Sequence, residues 1–149
     1  MSDLGDLYQE LILDHKRHPR NFRDMPDATR AVDGHNPLCG DQLRLFVKIE
    51  AGRIVDVSFL GAGCAISMAS ASMLTEALQG QTVEAAQALF ATVHDVLTSD
   101  HPRTDPLDLG SLGVLSGVHN YPSRVKCATL SWHTLNTALT STDDSVTTE

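Results

Sequence analysis

A chain of 149 residues, 42% of them apolar, is long enough to bury one core and too apolar to be a disordered tail. Nineteen acidic residues against 11 basic give a formal net charge of −8, which argues against non-specific nucleic-acid binding. No run of 18 apolar residues suits a membrane, and Met1-Ser2-Asp3-Leu4 lacks the basic start and apolar stretch of a secretion signal, so a cytoplasmic protein is expected.

The first element predicted is a helix capped by Ser2 or Asp3, with Leu4, Leu7, Tyr8, Leu11 and His15 at helical spacing and Pro19 stopping it. Residues 20–36 read as irregular or extended, with Ala31-Val32 at most a short edge strand. From Gln42 the period changes to two. Leu43, Leu45, Val47 and Ile49 alternate with polar residues, Ala51-Gly52 makes a turn, and Val55, Val57 and Phe59 follow as the second arm of an antiparallel hairpin. Helices are expected at 65–79, rich in small residues, and after Thr82 as cap, with Val83, Ala86, Phe90, Val93 and Leu97 on one stripe. A polar loop at 98–105 leads to a glycine-interrupted helix at 107–117. A last helix from Pro122 or Ser123 buries Val125, Ala128, Trp132, Leu135 and Leu139. The class is therefore α+β: a small antiparallel sheet of about three strands, with four to six helices packed mainly on one face. One domain is expected over 1–140, with 141–149 a polar, disordered tail.

Charge is unevenly distributed. Lys16, Arg17, Arg20 and Arg23, with His15 and His18, form a run free of acids, which reads either as a solvated helix end or as a patch for docking a partner. His94, His101, His119 and His133 are scattered and read as ordinary surface or core histidines.

Three cysteines without a secretion signal speak against a disulfide framework and for metal binding or thiol chemistry, with buried small hydrophobes as the plain alternative. Each sits at a junction. Cys39 lies in Asn36-Pro37-Leu38-Cys39-Gly40-Asp41, Cys64 follows Gly61-Ala62-Gly63 and opens a helix, and Cys127 is expected in about the first turn of the last helix, off its apolar stripe. Helix N-termini favour thiolate over thiol. Asp41, two residues after Cys39 across a glycine, can bring a carboxylate to the same point. Three thiolates and one carboxylate make a tetrahedral set that suits zinc, with Lys126 and Arg124 positioned to offset its negative charge. A closed zinc site that only ties loops together remains open at this point.

The motifs Leu7-Tyr8-Gln9-Glu10, Leu13-Asp14-His15, His18-Pro19-Arg20-Asn21, Asn36 to Asp41, Gly61 to Ser72 and Arg124 to Trp132 span almost the whole chain. On them the chain resembles the SufU branch of the IscU-like iron–sulfur assembly proteins, related to the NifU N-terminal domain. The resemblance implies one zinc ion per chain on Cys39, Asp41, Cys64 and Cys127, and a sulfurtransferase activity. Cys39 would accept persulfide sulfur from a pyridoxal-phosphate cysteine desulfurase of the SufS type, which would donate a histidine to the metal in exchange for Cys39. Downstream Suf cluster-assembly proteins would be the further partners. The alternative is a scaffold holding a nascent iron–sulfur cluster on the same cysteines. Scaffold members carry a histidine where this chain has Lys126, are shorter by roughly the stretch 98–117, and have a proline-rich chaperone motif where this chain has Asn120 to Arg124. Those differences favour sulfur transfer.

Overall fold

A computed structural model describes residues 3–119 and 121–147. Ser2, a possible cap of the first helix, lies outside the described residues. The elements in chain order are α1 (Asp3–Arg17), β1 (Arg30–Asn36), β2 (Asp41–Glu50), β3 (Arg53–Ala62), α2 (Ala65–Leu78), α3 (Val83–Thr98), a short 3₁₀ turn, α4 (Ser111–Val114), a second 3₁₀ turn, α5 (Pro122–Thr140) and β4 (Ser145–Thr147).

The sheet order is β3-β2-β1-β4. The antiparallel hairpin β2–β3 forms as expected, with Leu45 opposite Phe59 and Val47 opposite Val57, but the register shifts between Lys48 and Ile49, and Ile54 is buried while Val55 is exposed. The first strand is longer than expected. Arg30–Asn36 pairs antiparallel with β2, from Arg30 opposite Val47 to Asn36 opposite Asp41. It is also interior, because β4 covers its other side in parallel register, Gly34 opposite Val146. Residues 145–147, within the expected tail, form this strand. Arg30 holds this segment: its guanidinium donates to the carbonyls of Ser141 and Asp143, while the Asp33 amide donates to Asp144 O at 2.8 Å. The sheet is consequently mixed.

Alternation selects one face of the sheet for the core. Val32, Leu43, Leu45, Val47, Val57 and Phe59 are all buried, and α2 and α5 cover them. α5 passes so close to β1 that a Cβ on Gly34 would strike the Thr134 hydroxyl, so this position requires glycine. α1 packs on α2, and α3 on α5. The α1–α2 contact is tied by buried His15, whose Nδ1 lies 2.7 Å from Ser72 Oγ, which also accepts the Arg20 amide. Trp132 is fully buried, as predicted, and its Nε1 donates to Ser70 Oγ. No described helix is long and apolar enough to cross a membrane.

Candidate metal centre

The period-two pattern that buries Leu43 and Leu45 also turns Asp41 inward at the first position of β2. Its carboxylate is fully buried at the end of the sheet where the hairpin loop Pro37-Leu38-Cys39-Gly40 joins β1 to β2. Gly40 has φ +70°, a left-handed conformation that suits glycine and brings the loop back toward β2. Asn36, fully buried, organises the same loop: its Oδ1 accepts the Leu38 amide, and the Cys39 amide donates to its backbone carbonyl.

β3 returns beside β2 and delivers Cys64 as the N-cap of α2. The Cys64 sulfur accepts the Ser67 amide at 3.4 Å, so helix N–H groups face this thiol as expected. The Cys64 amide donates to Asp41 Oδ1 at 2.8 Å, and its thiol lies 3.9 Å from Asp41 Oδ2. Gly63 makes this contact possible, since a Cβ there would land on Asp41 Oδ1.

Cys127 departs from expectation. α5 begins at Pro122, so Cys127 lies in the second turn, where its thiol donates to Ser123 O at 3.5 Å instead of facing free N–H groups. It is also fully buried, within an unbroken buried run from Cys127 to Trp132. A helix wedged between the sheet, α2 and α3 has little polar face left, so a single apolar stripe is a poor guide to its burial.

These elements converge. Cys127 Sγ lies 3.2 Å from Cys39 Sγ and 3.7 Å from Asn36 Nδ2. Donor atoms of Cys39, Asp41 and Cys127 fall within 4.8 Å of one another, and Cys64 joins them from the side through Asp41. Burial, then the neighbouring Cys39, Asp41 and Cys64, push the Cys127 thiol far above its ordinary range. Crowding anionic donors into a buried space is unfavourable unless a cation joins them, and a set of soft sulfurs with one oxygen suits zinc better than calcium or magnesium. The residues therefore fit a zinc ion. Cys39 differs from the others in being exposed, while Cys64 is half-buried.

The remaining predicted residues are less tightly placed. Arg124 is exposed and Lys126 half-buried, and neither makes an ion pair among the described residues. Arg124 lines a groove of about 600 Å³ with Tyr8, Ile12, Leu13, Ala65, Ile66 and Tyr121, beside the thiols. The basic run is partly neutralised: Arg20 pairs with nearby Asp14 and with Glu76, and Arg23 with Asp56, the last two acids distant in sequence. Lys16 and Arg17 are exposed and make no ion pair among the described residues. Asn36 escaped the sequence reading as a site residue; its signal was the Asn-Pro start of the cysteine loop, where an asparagine side chain typically bonds the backbone two residues on.

Known proteins share this arrangement of chain and fold. Residues 7–128 match the family described as the NifU-like N-terminal domain. The chain is 42% identical over 134 residues to the zinc-dependent sulfurtransferase SufU of Bacillus subtilis, covering 90% of each chain. It is 37% identical over 139 residues to the iron–sulfur cluster assembly scaffold protein IscU of Streptococcus pyogenes, covering 93% of this chain and 86% of that one. Among solved structures, the putative iron–sulfur cluster assembly scaffold protein for the SUF system from Fervidobacterium islandicum superposes with a TM-score of 0.82 at 34% identity, over 90% of this chain and 97% of that one. The NifU-like N-terminal protein of Brucella abortus shares the fold, with a TM-score of 0.78 at 19% identity over 93% and 95% of the two chains. By sequence match and by fold, the chain belongs to the IscU-like family of NifU N-terminal domains, the iron–sulfur cluster assembly proteins.

Proposed function

We propose that this protein is a zinc-dependent sulfurtransferase that accepts persulfide sulfur from a cysteine desulfurase of the SufS type and passes it on for iron–sulfur cluster assembly. Cys39, Asp41, Cys64 and Cys127 hold the zinc, which would keep the thiols deprotonated at neutral pH. The observation that carries the reading is the asymmetry of the thiols: Cys39 is exposed at a hairpin tip, whereas Cys64 and Cys127 are anchored in α2 and α5. A loop residue moves at lower cost than one held in helical hydrogen bonds, so Cys39 is the thiol able to meet a partner's persulfide. Its thiolate attacks the outer sulfur of the partner's Cys–S–SH. The partner's S–S bond breaks, a new one forms on Cys39, and the partner cysteine leaves as thiolate, with no net oxidation.

A scaffold function on the same cysteines is the second reading, favoured by relatives that carry that name. Lys126 argues against it, because a protonated lysine offers no lone pair where scaffold members place a histidine. The test is to mix the zinc-loaded protein with a desulfurase and cysteine, trap persulfide with an alkylating probe and map it by mass spectrometry. Label on Cys39, lost in Cys39→Ala along with desulfurase stimulation, is expected. Label confined to Cys64 or Cys127 would overturn the assignment, and an air-stable iron–sulfur cluster would favour the scaffold.

A further inference from the structure

Away from the thiols, the packing of α3 on α5 brings together two imidazoles that lie 39 positions apart in sequence, His94 and His133. Their ring centroids are 5.3 Å apart with the planes at 77°. Phe90, one turn before His94, supports both rings, at 5.8 Å from His94 and 5.6 Å from His133. Both histidines are half-buried, so they are held in place yet open to solvent. Neither ring makes a hydrogen bond or an ion pair with any described residue. Burial, and then His94, lower the His133 pKa from its ordinary value, and no carboxylate contributes. The nearest acid along α3, Asp95, is engaged by the Arg103 amide.

We propose that His94 and His133 form a second metal site, a two-imidazole chelate for a divalent transition-metal ion, with water completing the shell. The spacing carries the argument. A metal bound at the usual zinc–nitrogen distance sits about 3.2 Å from each ring centroid, and a tetrahedral angle between the two bonds then separates the centroids by about 5.2 Å. The observed 5.3 Å meets that requirement without helix movement. The outer side-chain torsion that aims the ring nitrogens is soft in histidine. Neutral imidazoles without a carboxylate select zinc, nickel or cobalt over magnesium and calcium. A bound ion ties α3 to α5, the helix that carries Cys127, and so stabilises the fold by mass action. The site depends on neither the zinc nor the sulfur chemistry proposed for the thiols.

The experiment is a titration of the full chain, already holding one zinc, with further zinc chloride at pH 7.5, followed by calorimetry and by the ring-proton NMR signals of the histidines. A second equivalent is expected, weaker than the first, that shifts the rings of His94 and His133 and is lost on acidification, because protons compete with the metal for imidazole nitrogens. His94→Gln and His133→Gln should each abolish it, leaving the first equivalent and a cooperative thermal transition intact. Should His133→Gln fail to fold, the less constrained His94→Gln decides. A second equivalent that survives His94→Gln, that shifts only His101 or His119, or that is absent up to millimolar zinc would overturn the proposal.

Discussion

Replacing Gly63 with alanine should weaken metal binding without touching any ligand. The added Cβ would fall on Asp41 Oδ1 and within 3.0 Å of Asp41 Cα and Cγ. Asp41 is fully buried and its backbone is paired with Asn36, so the strand cannot easily retreat. The cheapest relief is rotation of the carboxylate, which breaks its hydrogen bond from the Cys64 amide. A hydrogen bond to a charged group contributes about 1.5–3 kcal/mol, and residual crowding costs a similar amount, about 1–3 kcal/mol. If the hydrogen-bond loss falls on the metal-bound state, zinc affinity drops about 10- to 100-fold, since each 1.4 kcal/mol is a factor of ten. Competition against a chromophoric chelator reads the affinity, and chemical denaturation reads the stability separately. Parental zinc affinity in Gly63→Ala, with only stability reduced, would show that Asp41 is not held for the metal.

Asp41→Ala should release zinc faster to a chelator than the parent does, because the remaining thiolates would need water as a fourth partner; equal retention would remove Asp41 from the ligand set. Reversing Lys16 and Arg17 to Glu should slow association with a desulfurase and flatten its salt dependence, whereas the already paired Arg23 should matter less; stopped-flow kinetics across a salt series checks this. Burial, then Arg20, hold His15 below its ordinary value of 6.5, so the unfolded chain binds more protons there. That contribution to stability is intact above pH 6.5 and is lost as the pH falls below it. His15→Gln should therefore flatten the stability profile on the acid side in denaturant titrations. Trp132→Phe should cost about 1–3 kcal/mol in the same assay, through lost volume and the lost bond to Ser70 Oγ.

Local pattern carried much of this protein. The hairpin of β2 and β3, the helix opening at Cys64, the cap at Thr82 and the start of α5 at Pro122 are short-range features, and each forms where its residues predict. The approach of Cys39 to Asp41 is likewise local, since a four-residue loop with a left-handed glycine leaves few alternatives. Asp33, Gly34 and His35 break the apolar pattern of β1, and at Gly34 the reason lies elsewhere in the chain, because a Cβ there would meet the Thr134 hydroxyl on α5. β4 has no core-forming pattern at all and is held by Arg30 and by the free edge of β1.

The composition of the cysteine set is visible in the sequence, but its electrostatics are not. Whether Cys127 meets helix N–H groups or a buried carbonyl depends on where α5 begins and what surrounds it, and packing on every side decides that. The basic run is likewise isolated along the chain, and folding places Glu76 and Asp56 beside it. The pairing of His94 with His133 has no sequence signature, because helical periodicity places each residue on its own helix face but says nothing about which faces meet. Residue types and spacing thus determined which groups are available and which elements carry them. Only the packing of α2, α3 and α5 decided which groups share a dry space, because burial, and the opposing charges that offset its cost, come from residues far apart in the chain.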